Sequence, residues 1–140
     1  MKAEFFNIKE LVSPAIYNKF QENSWLFINP SIIRVIDFLR KIHGPIIVNN
    51  WHIGGNYSES GLRDFSTSTG ASYSIHKFGG AMDLKFSKTT PKEVFEYILD
   101  NKEKMFELGL RRVENITATP TWLHVDSANT HSDTVVIFNP

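Results

Sequence analysis

Two imidazoles and one carboxylate, His76, Asp83 and His124, are the residues of this sequence best suited to chemistry. The first two lie in the segment Ser74-Ile75-His76-Lys77-Phe78-Gly79-Gly80-Ala81-Met82-Asp83. The third lies in Thr121-Trp122-Leu123-His124-Val125-Asp126. Imidazole nitrogen and carboxylate oxygen are good zinc ligands, and a catalytic zinc site keeps one coordination position open for water. An ion so held lowers the pKa of that water and polarises a carbonyl, which is hydrolytic chemistry. His76 and Asp83 alone are a weak signal, because such pairs arise by chance. Their weight depends on the elements that would bring all three together.

Those elements can be predicted from the residue pattern. Residues 81–86 alternate as a strand, with Met82, Leu84 and Phe86 toward a core and Ala81, Asp83 and Lys85 on the opposite face. His124 sits between Leu123 and Val125, again opposite an apolar pair, within a strand expected over 122–127. Two adjacent strands would then present Asp83 and His124 on one face. Gly79 and Gly80 allow a sharp turn between His76 and its strand, and Ala81 leaves room beside the metal.

The rest of the chain reads as scaffold. Ser13-Pro14 starts a helix over 14–20, and Asn29-Pro30 starts a longer one ending near His43 and Gly44. A β-branched run over 45–51 reads as a strand. Residues 54–75, rich in Gly, Ser and Thr, read as a long surface loop, a length that usually accompanies function. Thr90, Pro91 and Glu93 form a capped helix start, with a break or continuation near Asn101 and a stop at Gly109. Strands are expected near 111–115 and 134–138. With 140 residues, one domain over 1–140 of α+β class suffices.

The ten-residue segment matches, without a gap, the pattern S-x-H-x-x-G-x-A-x-D through Ser74, His76, Gly79, Ala81 and Asp83. In this the chain resembles the zinc peptidases that include D-alanyl-D-alanine carboxypeptidases, VanX-type dipeptidases and phage L-alanyl-D-glutamate endolysins. That family shares its fold with the Hedgehog signalling domain. The resemblance implies a Hedgehog/DD-peptidase-like antiparallel sheet with helices packed on one face. It carries His76, Asp83 and His124 over as ligands of one Zn2+ per chain, with Ser74 as a supporting group. It implies peptide-bond hydrolysis in peptidoglycan stem peptides, by a short phage-related member.

One departure bears on activity. The family's enzymes place a general-base glutamate three residues before the last histidine, where this chain has Thr121. Glu114 is the expected substitute, because Val113 toward the core turns Glu114 toward the metal. The alternative is a strand carboxylate paired with Arg112 or Lys85. Asp126 shares the face of His124 and is another acidic candidate, expected rather to orient a ligand imidazole or a nearby loop. Arg63 is either the arginine that the family uses to steady substrate or oxyanion, or an ordinary loop arginine. Trp122 and His52 are candidate substrate-binding residues, with a rim aromatic and a structural histidine as the alternatives. His43 reads as a helix-end residue and His131 as a surface one. If catalysis is lost, a zinc-stabilised binding or structural module of a phage-related protein is the other expectation.

Composition narrows the field. Lys plus Arg and Asp plus Glu number 15 each, so the broad basic face of a phosphate-backbone binder is not expected. There is no Cys, which removes disulfides, thiolate metal sites and a Cys nucleophile. The opening MKAEFFNIKE lacks an apolar run with a small-residue cleavage site, and no stretch approaches a membrane span. A soluble monomer made in the cytosol, reaching the cell wall after lysis or as a phage-associated protein, is the expectation.

Overall fold

The computed structural model describes residues 1–140 as a mixed α+β domain. Its helices are α1 (Ile8–Leu11), α2 (Pro14–Phe20), α3 (Pro30–His43), α4 (Pro91–Asp100) and α5 (Lys102–Leu108). Its strands are β1 (Ile46–Ile47), β2 (Ala81–Phe86), β3 (Arg112–Glu114), β4 (Leu123–Asp126) and β5 (Val136–Phe138), in the order β1-β2-β4-β3-β5. Tight 3-10 turns run over Gln21–Phe27, Trp51–Ile53 and Ile75–Phe78. No helix is long and apolar enough to cross a membrane.

Caps fix the helix starts as their residue types dictate. The Ser13 hydroxyl accepts from the Ile16 amide ahead of Pro14, and the Asn29 side chain accepts from the Ser31 amide ahead of Pro30. Thr90 and Glu93 form a reciprocal capping box on α4. The break at Asn101 is real, and it separates α4 from α5. The α1 turn, with its own Asn7–Glu10 capping box, was not expected, because one helical turn leaves too short a periodic pattern to see.

The core lies on one side of the sheet. Met82, Leu84, Val113, Leu123 and Val125 are fully buried there, and α4 packs against β2 and β4. The α3 face of Ile32, Ile33, Val35, Ile36 and Leu39 is equally buried and joins the same cluster.

The expected all-antiparallel sheet is corrected at its edge. β2 pairs antiparallel with β1 and β4, and β4 with β3, but β5 pairs parallel with β3. The chain leaves β4, passes over β3 and returns along its far side. Running back against β4, it runs along β3. The expected strand over 45–51 shortens to Ile46–Ile47. Beyond it, the Asn49 amide and the Trp51 indole both donate to the Val12 carbonyl, which bends the chain into the turn at Trp51–Ile53. The 54–75 segment holds no helical turn before the one that begins at Ile75, and it is not wholly a surface loop. Gly61 to Asp64 is buried, with Leu62 bridged to Val12 through backbone hydrogen bonds on both sides.

Candidate metal centre

The polar face of the sheet holds the site. Register pairs Asp83 of β2 directly with His124 of β4, while their neighbours Met82–Val125 and Leu84–Leu123 pair on the core side. His76 arrives from the Ile75–Phe78 turn, whose start is capped by the Ser74 hydroxyl accepting from the His76 amide. Gly79 ends that turn at φ 72, and its absent Cβ would lie 1.8 Å from the Phe27 carbonyl oxygen. Only glycine lets the chain pass there into β2.

The three side chains converge. His76 Nε2 lies 3.3 Å from His124 Nδ1 and 3.3 Å from Asp83 Oδ1, and His124 Nδ1 lies 2.9 Å from the same oxygen. A tetrahedral centre with bonds of about 2.0–2.1 Å separates its donor atoms by about 3.3 Å. Two edges of the triangle match that spacing, and the third, between His124 and Asp83, is shorter at 2.9 Å. His76, Asp83 and His124 thus form a group that can hold a metal ion.

The hydrogen bonds behind the ligands agree with this use. His76 Nδ1 donates to the Gly61 carbonyl at 2.9 Å, leaving the lone pair of the neutral ring on Nε2, inside the triangle. His124 Nε2 donates to Asp126 Oδ2 at 2.9 Å, which leaves Nδ1 facing inward. Asp126 is fully buried and is held by Arg112 through Nε and Nη2 at 2.8–3.1 Å. Such outer partners fix the tautomer and aim of metal-binding imidazoles. The outer oxygen of Asp83, Oδ2, faces Arg63 Nη2 at 3.4 Å.

Charge follows the same geometry. Burial would raise the Asp83 carboxyl, but hydrogen bonds and charge from His124 and His76 hold it well below the usual carboxylate range. Burial would lower His124, but Asp126 and Asp83 outweigh it and lift the ring to about 9. Asp126 is held low against its own burial by His124 and Arg112. Lys85 is pushed down to about 8 by burial, and its ammonium bonds the Val48 carbonyl and the Ser60 hydroxyl.

A cleft of about 570 Å³ opens over the group, lined by Ser74, Arg63, Arg112, Glu114, Trp122 and Phe138 among others. A smaller recess of about 300 Å³ adjoins it and shares Arg63, Asp83 and Trp122. Glu114 is buried, and burial raises its carboxyl pKa. It pairs with neither Arg112, which is committed to Asp126, nor Lys85, which is committed to Val48 and Ser60. Arg63 is buried beside the ligands, with Nε donating to the Glu59 carbonyl. Thr121 is exposed and does not line the cleft.

His52 is not brought to the site. It lies in the Trp51–Ile53 turn against the Trp51 ring and lines neither recess, because the strand expected to carry it to the cleft ends at Ile47. The Gly61 carbonyl, Arg112 and Phe138 were missed as contributors. A backbone carbonyl has no sequence signal, but Arg112 alternates with Val113 and shares the Glu114 face, which the strand period could have revealed.

No protein-family model, curated protein or solved structure matches the chain.

Proposed function

We propose that this protein is a zinc-dependent hydrolase of peptide bonds, acting on the stem peptides of bacterial peptidoglycan. The observation that carries the chemical half is the inward triangle of His76 Nε2, Asp83 Oδ1 and His124 Nδ1, with each imidazole's other nitrogen committed to a carbonyl or a carboxylate. The substrate half rests on the resemblance of the Ser74–Asp83 segment to peptidoglycan peptidases.

His76, Asp83 and His124 would hold the ion, and zinc there would supply Lewis-acid polarisation of the scissile carbonyl and acidification of a water. Glu114 takes a proton from the attacking water and delivers it to the departing amine. Its freedom from any protein hydrogen bond and the upward push of burial on its carboxyl suit a group that must accept and then release a proton. Arg63 borders the cleft next to Asp83, where its positive charge favours an oxyanion on the substrate. Trp122 walls both recesses and gives a flat apolar face to the substrate backbone. Ser74 fixes the turn that aims His76.

A second reading has one observation in its favour. Thr121 stands where the enzymes that the Ser74–Asp83 segment resembles carry their base, and it is exposed and does not line the cleft. On that reading the chain is a metal-stabilised binding module. Incubating zinc-loaded protein with purified peptidoglycan and measuring new amino groups separates the two. Release by the native chain, with Glu114→Gln keeping its zinc and losing at least a hundredfold in rate, is the expected result. Zinc bound with no release by the native chain favours the module.

A further inference from the structure

Behind His124 the contacts close into a ring. His124 Nε2 donates to Asp126, and Asp126 takes the Arg112 guanidinium in a fork. That guanidinium lies over the Phe138 ring, 4.3 Å from its centroid. Phe138 returns to His124 edge-on, with ring centroids 5.5 Å apart and planes at 82°. We infer that Arg112 and Phe138 are positioning residues for the ligand His124, so that the C-terminal strand is built into the metal centre. The inference rests on the metal half of the proposed function and is independent of hydrolysis.

An imidazole ligand must be held against rotation about its ring axis if its donor nitrogen is to face the ion. One hydrogen bond, from Nε2 to Asp126, fixes one edge only. Phe138 on β5 meets the ring edge-on, and the His76 ring packs against it as well, 5.0 Å away at 68°. Asp126 is itself fully buried and tolerates no slack. Its carboxylate is neutralised by the Arg112 fork, and it also accepts the Ala128 amide. A lysine at 112 keeps the charge but cannot reproduce two parallel N–H bonds or stack flat on an aromatic ring.

β5 is a short edge strand paired on one side only, to β3. The Asn115 amide donates to the Phe138 carbonyl, and the Val136 amide to the Arg111 carbonyl, both at 2.9 Å. Only Val135, just ahead of it, is fully buried in the core. Phe138 therefore couples in both directions. It steadies His124, and an ordered His124 steadies the strand, as reciprocal coupling requires.

The test measures zinc affinity by competition with a chromophoric chelator, alongside the visible spectrum of the cobalt-loaded chain. Arg112→Lys is expected to weaken zinc about tenfold and to alter the cobalt bands. Phe138→Leu, which keeps apolar bulk, should weaken it about threefold. Ile137→Ala, at an exposed side chain on the same strand, should leave both readouts unchanged. In the native chain, adding zinc should slow hydrogen exchange at the Asn115 amide. Native affinity and spectrum in both variants, with no zinc-dependent protection at Asn115, would overturn the brace while leaving the metal reading intact. Failure of the native chain to bind zinc would overturn both.

Discussion

His124 has both ring nitrogens aimed at carboxylates, Nδ1 at Asp83 and Nε2 at Asp126, each at 2.9 Å. Carboxylates only accept, so the metal-free ring satisfies both by carrying two protons, and its pKa rises to about 9. A metal at Nδ1 must displace one of them. Zinc uptake at pH 7 should therefore release about one proton from this ring, and uptake at pH 10 should release none. Calorimetry in buffers of different ionisation enthalpy reads that number directly. Asp83 adds no proton, because its carboxyl is held ionised well below the working range. Apparent zinc affinity should climb from pH 6.5 to about 9 and then level. The metal-free fold shows the opposite sign. A folded pKa raised above the ordinary 6.5 contributes stability below that value and loses it as pH rises through about 9. The metal-free chain should thus melt at lower temperature at pH 10 than at pH 6. Zinc affinity that stays flat between pH 6.5 and 9 would mean that Nδ1 is not a ligand.

At the scale of elements, the alternation of apolar and polar residues in β2 and β4 carries most of the site. It placed Asp83 and His124 on one face opposite Met82, Leu84, Leu123 and Val125, and the register aligns them. The same logic put Val113 inward and Glu114 into the cleft. Caps at Ser13, Asn29 and Thr90 were legible for the same reason: each rests on a local bond between near neighbours in sequence. What stayed hidden depends on distant partners. The end of β1 depends on the Val12 carbonyl, and the parallel pairing of β5 depends on a crossing over β3. His52 was misplaced by the first of these. The turn that delivers His76 offers an element-level test. Gly79→Ala must adopt φ 72 and also clear the Phe27 carbonyl, whereas Gly54→Ala adopts φ 87 in open space. The first should cost about 3 kcal/mol and weaken zinc binding, the second about 1 kcal/mol with zinc binding intact. Thermal melts with and without metal compare them. Equal costs would show that the Gly79 turn does not set the site.

For the whole molecule, the metal group joins three separate stretches of chain: the Ile75–Phe78 turn, β2 and β4. Behind them, Gly61 draws in the buried segment after Ser60, and Arg112 draws in β3. An ion bound only by the folded chain therefore stabilises the whole domain by mass action, not one local contact. At free zinc about a thousandfold above the dissociation constant, that contribution is about 4 kcal/mol. For a domain of this size it corresponds to a rise in melting temperature of about 14 °C. A chelator should reverse the rise, and restored zinc should return it. Asp83→Asn keeps the shape of the side chain but removes the charge that faces both imidazoles and Arg63. Its melting temperature should respond little to zinc. The β1 edge of the sheet lies away from the group and should melt with the rest, so probes at both ends of the sheet should report one transition. A native chain whose melting is indifferent to zinc and chelator would leave His76, Asp83 and His124 as a hydrogen-bonded cluster and remove the basis for hydrolysis.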